Sequence, residues 1–153
     1  MSAIYTLDNP VFRDFAIHST AVMLKTLAMG PVTLYYRVRN KAYCNKEDTV
    51  WVGEKGAKPV LDDEDVERSR RCHLNDLENI VPYFMIGIVY IAARPKPSTA
   101  LWHFRIFTAS RFFFTLAYMI PLPIPSRGFG YYGGLFTTLS MAYTIIKEAL
   151  NHV

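Results

Sequence analysis

Three observations in the 153-residue sequence predict an all-α integral membrane fold, a four-helix bundle forming a single membrane domain over residues 1–153. The first is where the charge sits. The chain carries 17 Lys+Arg and 13 Asp+Glu, yet residues 37–71 hold nine of the basic and eight of the acidic side chains, leaving eight and five for the other 118 residues. The second is that four apolar stretches reach the roughly 17–25 residues that a bilayer core of about 30 Å requires of a helix. The third is that alternation at period two is missing, which disfavours a membrane β-barrel. A composition that is 51% hydrophobic, with its polarity gathered in one insert, excludes a disordered chain and a conventional nucleic-acid binder. Two cysteines, Cys44 and Cys72, make no disulfide framework of the secreted kind.

The elements follow in order. The first span is expected at about 12–37, its apolar part running from Phe15 to Tyr36 and interrupted by Lys25 and by Gly30-Pro31. Asp8, Arg13 and Asp14 precede it without the short apolar core and small-residue cleavage site of a signal peptide, so this helix is expected to be retained. The charged loop 38–64 comes next. Asp62-Asp63-Glu64-Asp65 then marks a helix start, because acids in a first turn favour the helix dipole. The second span, about 65–93, contains Pro82, and its pattern from Val66 to Ile91 covers about 39 Å at ~1.5 Å per residue, more than the hydrocarbon needs. Arg94-Pro95-Lys96-Pro97 predicts a tight turn, since each proline disfavours helix in the residue before it. The third span lies at about 99–120 and carries Arg105 and Arg111. A proline-rich connection, Pro121–Arg127, leads to the fourth span at about 127–148, expected to begin just after Arg127 and uncharged from Gly128 to Ile146. The excess of Lys and Arg in the 37–71 region predicts that this loop is cytosolic and that both termini lie across the membrane.

Chemistry concentrates on polar stripes. Arg71, Asn75 and Glu78 stand at i, i+4 and i+7 on one helix face, with Glu67 and Arg68 extending the stripe a turn earlier. A cation, an amide and an anion at a membrane boundary read either as a self-neutralising set that lets helices pack or as a pocket for a zwitterionic ligand. Arg111, Thr115 and Tyr118 repeat the spacing, with Phe114 on the flank. An arginine near mid-span costs ~2.5–3.5 kcal/mol on insertion scales and needs a partner or a wet cavity. Glu78 is the natural partner of Arg111; Arg105 faces elsewhere and reads as a snorkelling residue. Lys25 admits pairing with Asp76. Arg127 and Tyr131 add a cation and a phenol at the same membrane face as Arg71. Arginine forks hold carboxylates bidentately, which suits a small peptide with two carboxylates and an amine. The scattered His18, His73, His103 and His152 have no metal-ligand spacing, so no metal is expected. Gly128, Gly130, Gly133 and Gly134 read as close helix packing.

The stretch Val66-Glu67-Arg68-Ser69-Arg70-Arg71-Cys72-His73-Leu74-Asn75-Asp76-Leu77-Glu78-Asn79-Ile80 resembles the signature of the membrane-associated proteins in eicosanoid and glutathione metabolism. The likeness continues through Asn45-Lys46-Glu47-Asp48, His103-Phe104-Arg105, Pro121–Arg127 and Leu139-Ser140-Met141-Ala142-Tyr143, and it is strongest toward the glutathione transferases of that family. The resemblance implies a homotrimer that holds glutathione between subunits near the cytosolic face. By motif, Arg71, Asn75, Glu78, Arg111, Tyr118 and Tyr131 match glutathione-binding positions, and Arg37 matches one supplied by the neighbouring subunit. Arg127 matches the arginine that holds the glutathione thiolate. It further implies a hydrophobic electrophile or lipid hydroperoxide as second substrate, contact with membrane lipid, and residence in the endoplasmic reticulum or the outer mitochondrial membrane.

The thiolate role is energetically reasonable. Lowering a thiol pKa near 8.5 by ~1–2 units takes about 1.4–2.7 kcal/mol, and one charged hydrogen bond contributes roughly 1.5–3 kcal/mol. Two further readings compete. A prostaglandin E synthase-like isomerase is weakened by Gly128, which stands where that enzyme has a proposed active serine. A non-catalytic lipid-binding scaffold has no use for Arg71, Asn75, Glu78 and Arg127. A small channel is a fourth idea, with Arg105 and Arg111 as pore-lining groups, but nothing specifies an ion path.

Overall fold

A computed structural model describes residues 4–51 and 58–151, all of them helical or irregular. The centre of the charged loop, including Lys55, lies outside the described residues, as do 1–3 and 152–153. The described residues form five helices: α1 (Pro10–Arg39), α2 (Lys46–Trp51), α3 (Glu64–Ala92), α4 (Pro97–Met119) and α5 (Ile124–Leu150). The expected four are the long ones; α2 is a six-residue addition inside the 38–64 loop.

Each boundary has a local cause. Asn9 caps α1 by accepting from the Val11 amide at 3.0 Å, and Pro10 supplies a preset φ for the first turn. The helix runs on through Gly30-Pro31, which interrupt the apolar pattern but not the backbone. Asp63 caps α3 by accepting from the Val66 amide at 3.0 Å, and Glu64, Asp65 and Glu67 fill its first turn. Asn40 Nδ2 donates to both Asp63 oxygens at 3.1 Å, tying the end of α1 to the start of α3. Two non-glycine residues among the described ones are left-handed: Lys41, just after α1, with a φ of 54°, and Arg94, which turns the chain between α3 and α4, with a φ of 52°. The Val66 amide holds the Asp63 carboxyl below the ordinary carboxylate range. A lowered folded-state pKa contributes stability above the unfolded value and loses it as pH falls through the folded one. Asp63→Ala is therefore expected to cost about 1 kcal/mol at neutral pH and less once the carboxyl is protonated, measured by thermal unfolding across pH.

The four long helices alternate in direction. α1 packs against α3 and α4, and so does α5; α3 and α4 meet across the diagonal, while no packing joins α1 to α5 among the described residues. At the end carrying both termini the core is aromatic. Tyr83 stacks on Phe107 with ring centroids 3.6 Å apart, and Phe15 packs beside Tyr83, Phe84 and Phe104. Gly87 is where α3 lets the Phe15 ring in, since a Cβ there would fall on it.

By mean hydropathy, no helix among the described residues is long and apolar enough to cross a membrane. The physical reason is visible in each. Asp14 and Lys25 dilute α1, acids and arginines fill the first turns of α3, Arg105 and Arg111 sit in α4, and α5 is rich in Gly, Thr and Tyr. The outer surface is nonetheless apolar, with Leu27, Leu34, Met85, Leu116, Phe129 and Phe136 each more than half exposed.

Candidate functional site

At the end where α1 finishes and α3 begins, α4 finishes and α5 begins, and most of the sequence-predicted site residues gather there. Arg111 is their centre. Fully buried on α4, it donates from Nη1 to Asn75 Oδ1 at 3.1 Å and from Nη2 to the Gly130 carbonyl at 2.6 Å. Its guanidinium carbon lies 4.9 Å from the Phe114 ring centre. Phe114 packs against Tyr118 at 5.4 Å, and the Arg127 guanidinium stands over the Tyr118 ring at 5.2 Å. Two cations thus flank an aromatic pair, each on a ring face that favours positive charge. Tyr118 and Tyr131 both pack on the small cluster of Met29, Cys72 and Phe114.

Several expectations need correction. Arg111 does not pair with Glu78; an amide and a backbone carbonyl take its protons instead. Glu78 and Arg71 are both exposed on α3, and neither enters an ion pair among the described residues. Glu67 and Arg68 do not extend a ligand stripe: Arg68 bridges Glu64 and Asp65 at 2.5 and 3.2 Å, and Glu67 accepts from Arg70 at 2.5 Å. These are local pairs at a helix start, worth a few tenths of a kcal/mol to about one. α5 begins at Ile124 rather than after Arg127, because Pro125 near its first position favours helix initiation; Arg127 therefore sits in the first turn. Arg37 is turned to its own loop, donating from Nη1 to the Ala42 carbonyl at 3.1 Å.

The pairing of Lys25 with Asp76 is present, and it is buried. Arg105 faces outward with its guanidinium 5.8 Å from the Trp102 ring. Sequence reasoning missed the Gly130 carbonyl, because a backbone acceptor has no residue type to flag it. Its signal was the glycine run, read as close packing, and three of its four members fit that reading. A Cβ at Gly130 would lie 2.8–2.9 Å from Phe114 Cβ, Cα and N, and at Gly133 2.5 Å from Ser110 Oγ. At Gly134 it would lie 3.1 Å from Arg111 Nε. Gly128 is the exception, with nothing within 4 Å. Gly130→Ala pushes against backbone that cannot rotate away, so it is expected to cost about 1–3 kcal/mol. Gly128→Ala is expected to be neutral or slightly stabilising, and thermal unfolding of the two variants side by side measures the contrast.

Among the described residues no group of His, Cys, Asp and Glu is placed to hold a metal ion. The arrangement offers instead two fixed cations, an amide, two phenols and an unpaired carboxylate around one end of the bundle. That is a set for binding a small charged organic molecule.

The chain belongs to the MAPEG family, whose pattern it matches over residues 15–147. It is 44% identical over 146 residues to microsomal glutathione S-transferase 1 of Homo sapiens, covering 94% of each chain. The identity to the Mus musculus protein of the same name is 45% over the same length. Similarity extends at 37% identity over 139 residues to prostaglandin E synthase of Equus caballus, covering 91% of this chain and 90% of that one.

Proposed function

We propose that this chain is a membrane-bound glutathione transferase that conjugates glutathione to hydrophobic electrophiles and, as a side activity, reduces lipid hydroperoxides with glutathione. The observation that carries this reading is the state of the charged groups. Arg71 and Glu78 are exposed and unpaired with one another or with Arg111, so a cation and an anion remain for a zwitterionic tripeptide. Asn75, Arg111, Tyr118 and Tyr131 line the same end, and Arg127 in the first turn of α5 holds the thiolate. The reaction needs no base from the protein. The thiol proton leaves to solvent, the sulfur attacks the electrophilic carbon, and the leaving group departs with the bonding pair.

In this reading the four long helices cross the bilayer as one domain, residues 1–153, with the 38–64 loop cytosolic and the termini lumenal. The apolar outer surface supports contact with lipid. Three subunits complete the site: Arg71 and Glu78 face away from their own bundle, and Arg37 reaches a neighbour's glutathione once released from Ala42. The endoplasmic reticulum is the proposed location, with the mitochondrial outer membrane second. The isomerase reading lacks a hydroxyl at position 128, where there is room for one.

The test is the purified protein in detergent with glutathione and a chloronitrobenzene, followed by conjugate absorbance, with calorimetry for glutathione binding. Conjugate formation together with saturable binding is expected. Binding that stays undetectable at millimolar glutathione would overturn the assignment in favour of a lipid scaffold.

A further inference from the structure

We infer that Lys25 and Asp76 are positioning residues for the Arg111 guanidinium, acting through a polar layer that links α3 to α4 across the diagonal of the bundle. This rests on the glutathione-binding reading above. Lys25 projects from α1 with its side chain 8% exposed, and Asp76 is fully buried. The Lys25 ammonium donates to Asp76 Oδ1, to Thr115 Oγ1 at 2.8 Å and to the Arg111 carbonyl at 3.4 Å. An ammonium has three protons, and all three are engaged.

The geometry of those partners gives the layer its purpose. On α4, Lys25 grips the backbone of Arg111 itself and the hydroxyl one turn later. On α3, it grips the residue that follows Asn75, the side chain that accepts from Arg111. One cation therefore holds both the backbone carrying the arginine and the turn carrying its acceptor. Cys72 adds a weak contact, its Sγ 3.9 Å from Thr115 Oγ1. A guanidinium on a long flexible stem keeps one direction only while its own helix and its acceptor's helix hold their register.

A buried ion pair is weak ground for added stability. Removing two charges from water is expensive, and apolar replacements of similar volume are often neutral or stabilising. The layer is also imperfect, since the buried Asp76 Oδ2 has no hydrogen-bond partner. An arrangement that ties two helices around Arg111 fits a role in aiming that residue.

The double variant Lys25→Met/Asp76→Leu removes both charges with little change of volume, leaving Arg111 and Arg127 in place. In detergent it is expected to keep a Tm close to the parent's, to raise KM for glutathione about 10- to 100-fold and to leave kcat within about twofold. Thr115→Val keeps both charges and deletes one acceptor, and a several-fold rise in KM with unchanged Tm is expected. It also decides the matter if the double variant does not fold. A merely structural role lowers the active fraction, which reduces apparent kcat and leaves KM alone; that result, or parental KM in either folded variant, overturns the inference. Parental protein that binds no glutathione by calorimetry removes the functional reading, and this inference with it. Loss of affinity confined to the variants assigns the effect to the layer.

Discussion

Arg127→Ala is expected to lower kcat/KM for conjugation roughly 10- to 150-fold while leaving the fold intact. The magnitude follows from the interaction removed: a charged hydrogen bond to the thiolate contributes about 1.5–3 kcal/mol, and 1.36 kcal/mol is a factor of ten. The fold is spared because Arg127 is half-buried at the rim of α5 and its contact is the face of Tyr118, which has other neighbours. The defect has a signature in pH. Without the cation the thiol returns toward its free pKa, so the variant's rate climbs at higher pH than the parent's. Conjugation rates from mildly acidic to alkaline pH check both points. A variant with parental kcat/KM and an unshifted profile would show that the sulfur is held elsewhere.

Arg111→Met is expected to lose both stability and glutathione binding. It strips the donor from Asn75 Oδ1, where an unsatisfied acceptor costs about 1–3 kcal/mol, and the side-chain donor from the Gly130 carbonyl, in a setting where Arg111 is fully buried. A fall in Tm of roughly 5–10 °C is expected for a chain of this size. Glutathione Kd is expected to rise at least tenfold, because Asn75 and the Phe114–Tyr118 pair lose the group that orders them. Thermal unfolding and calorimetry on the same preparation separate the two losses. A stable variant with unchanged affinity would reduce Arg111 to a packing residue.

Much of this was legible in the sequence because it depends on residue type and period. Four long helices follow from the apolar segments, the acidic run at 62–65 and the proline turn at 94–97. The Arg71–Asn75–Glu78 stripe follows from helical spacing. The partners did not follow, because spacing along one helix says nothing about which side chain of another helix faces it. Glu78 looked like the counter-charge for Arg111, yet the bundle turns Glu78 outward and gives Arg111 an amide and a carbonyl. The expected start of α5 just after Arg127 lies later than the observed one at Ile124, in the proline-rich stretch read as a connection. In the bundle Pro123 and Pro125 are helix initiators, which brings Arg127 into the first turn. Lys25 with Asp76 was legible only as an option, since opposite charges on different helices fix no distance. Charged and small polar residues inside the long helices lower their mean hydropathy, so none among the described residues is apolar enough on average to cross a membrane, although each apolar segment was legible.

The hold of the Gly130 carbonyl on Arg111 bears on how such a site changes over generations. Substitutions alter side chains and leave the main-chain oxygen where it is, so this anchor is shielded from mutational drift. Where α5 comes nearest to α4, Gly130 has no latitude to grow against the Phe114 backbone, and Gly133 and Gly134 have little. Descendants of this chain can therefore vary the outward residues of that helix while the buried cation stays seated.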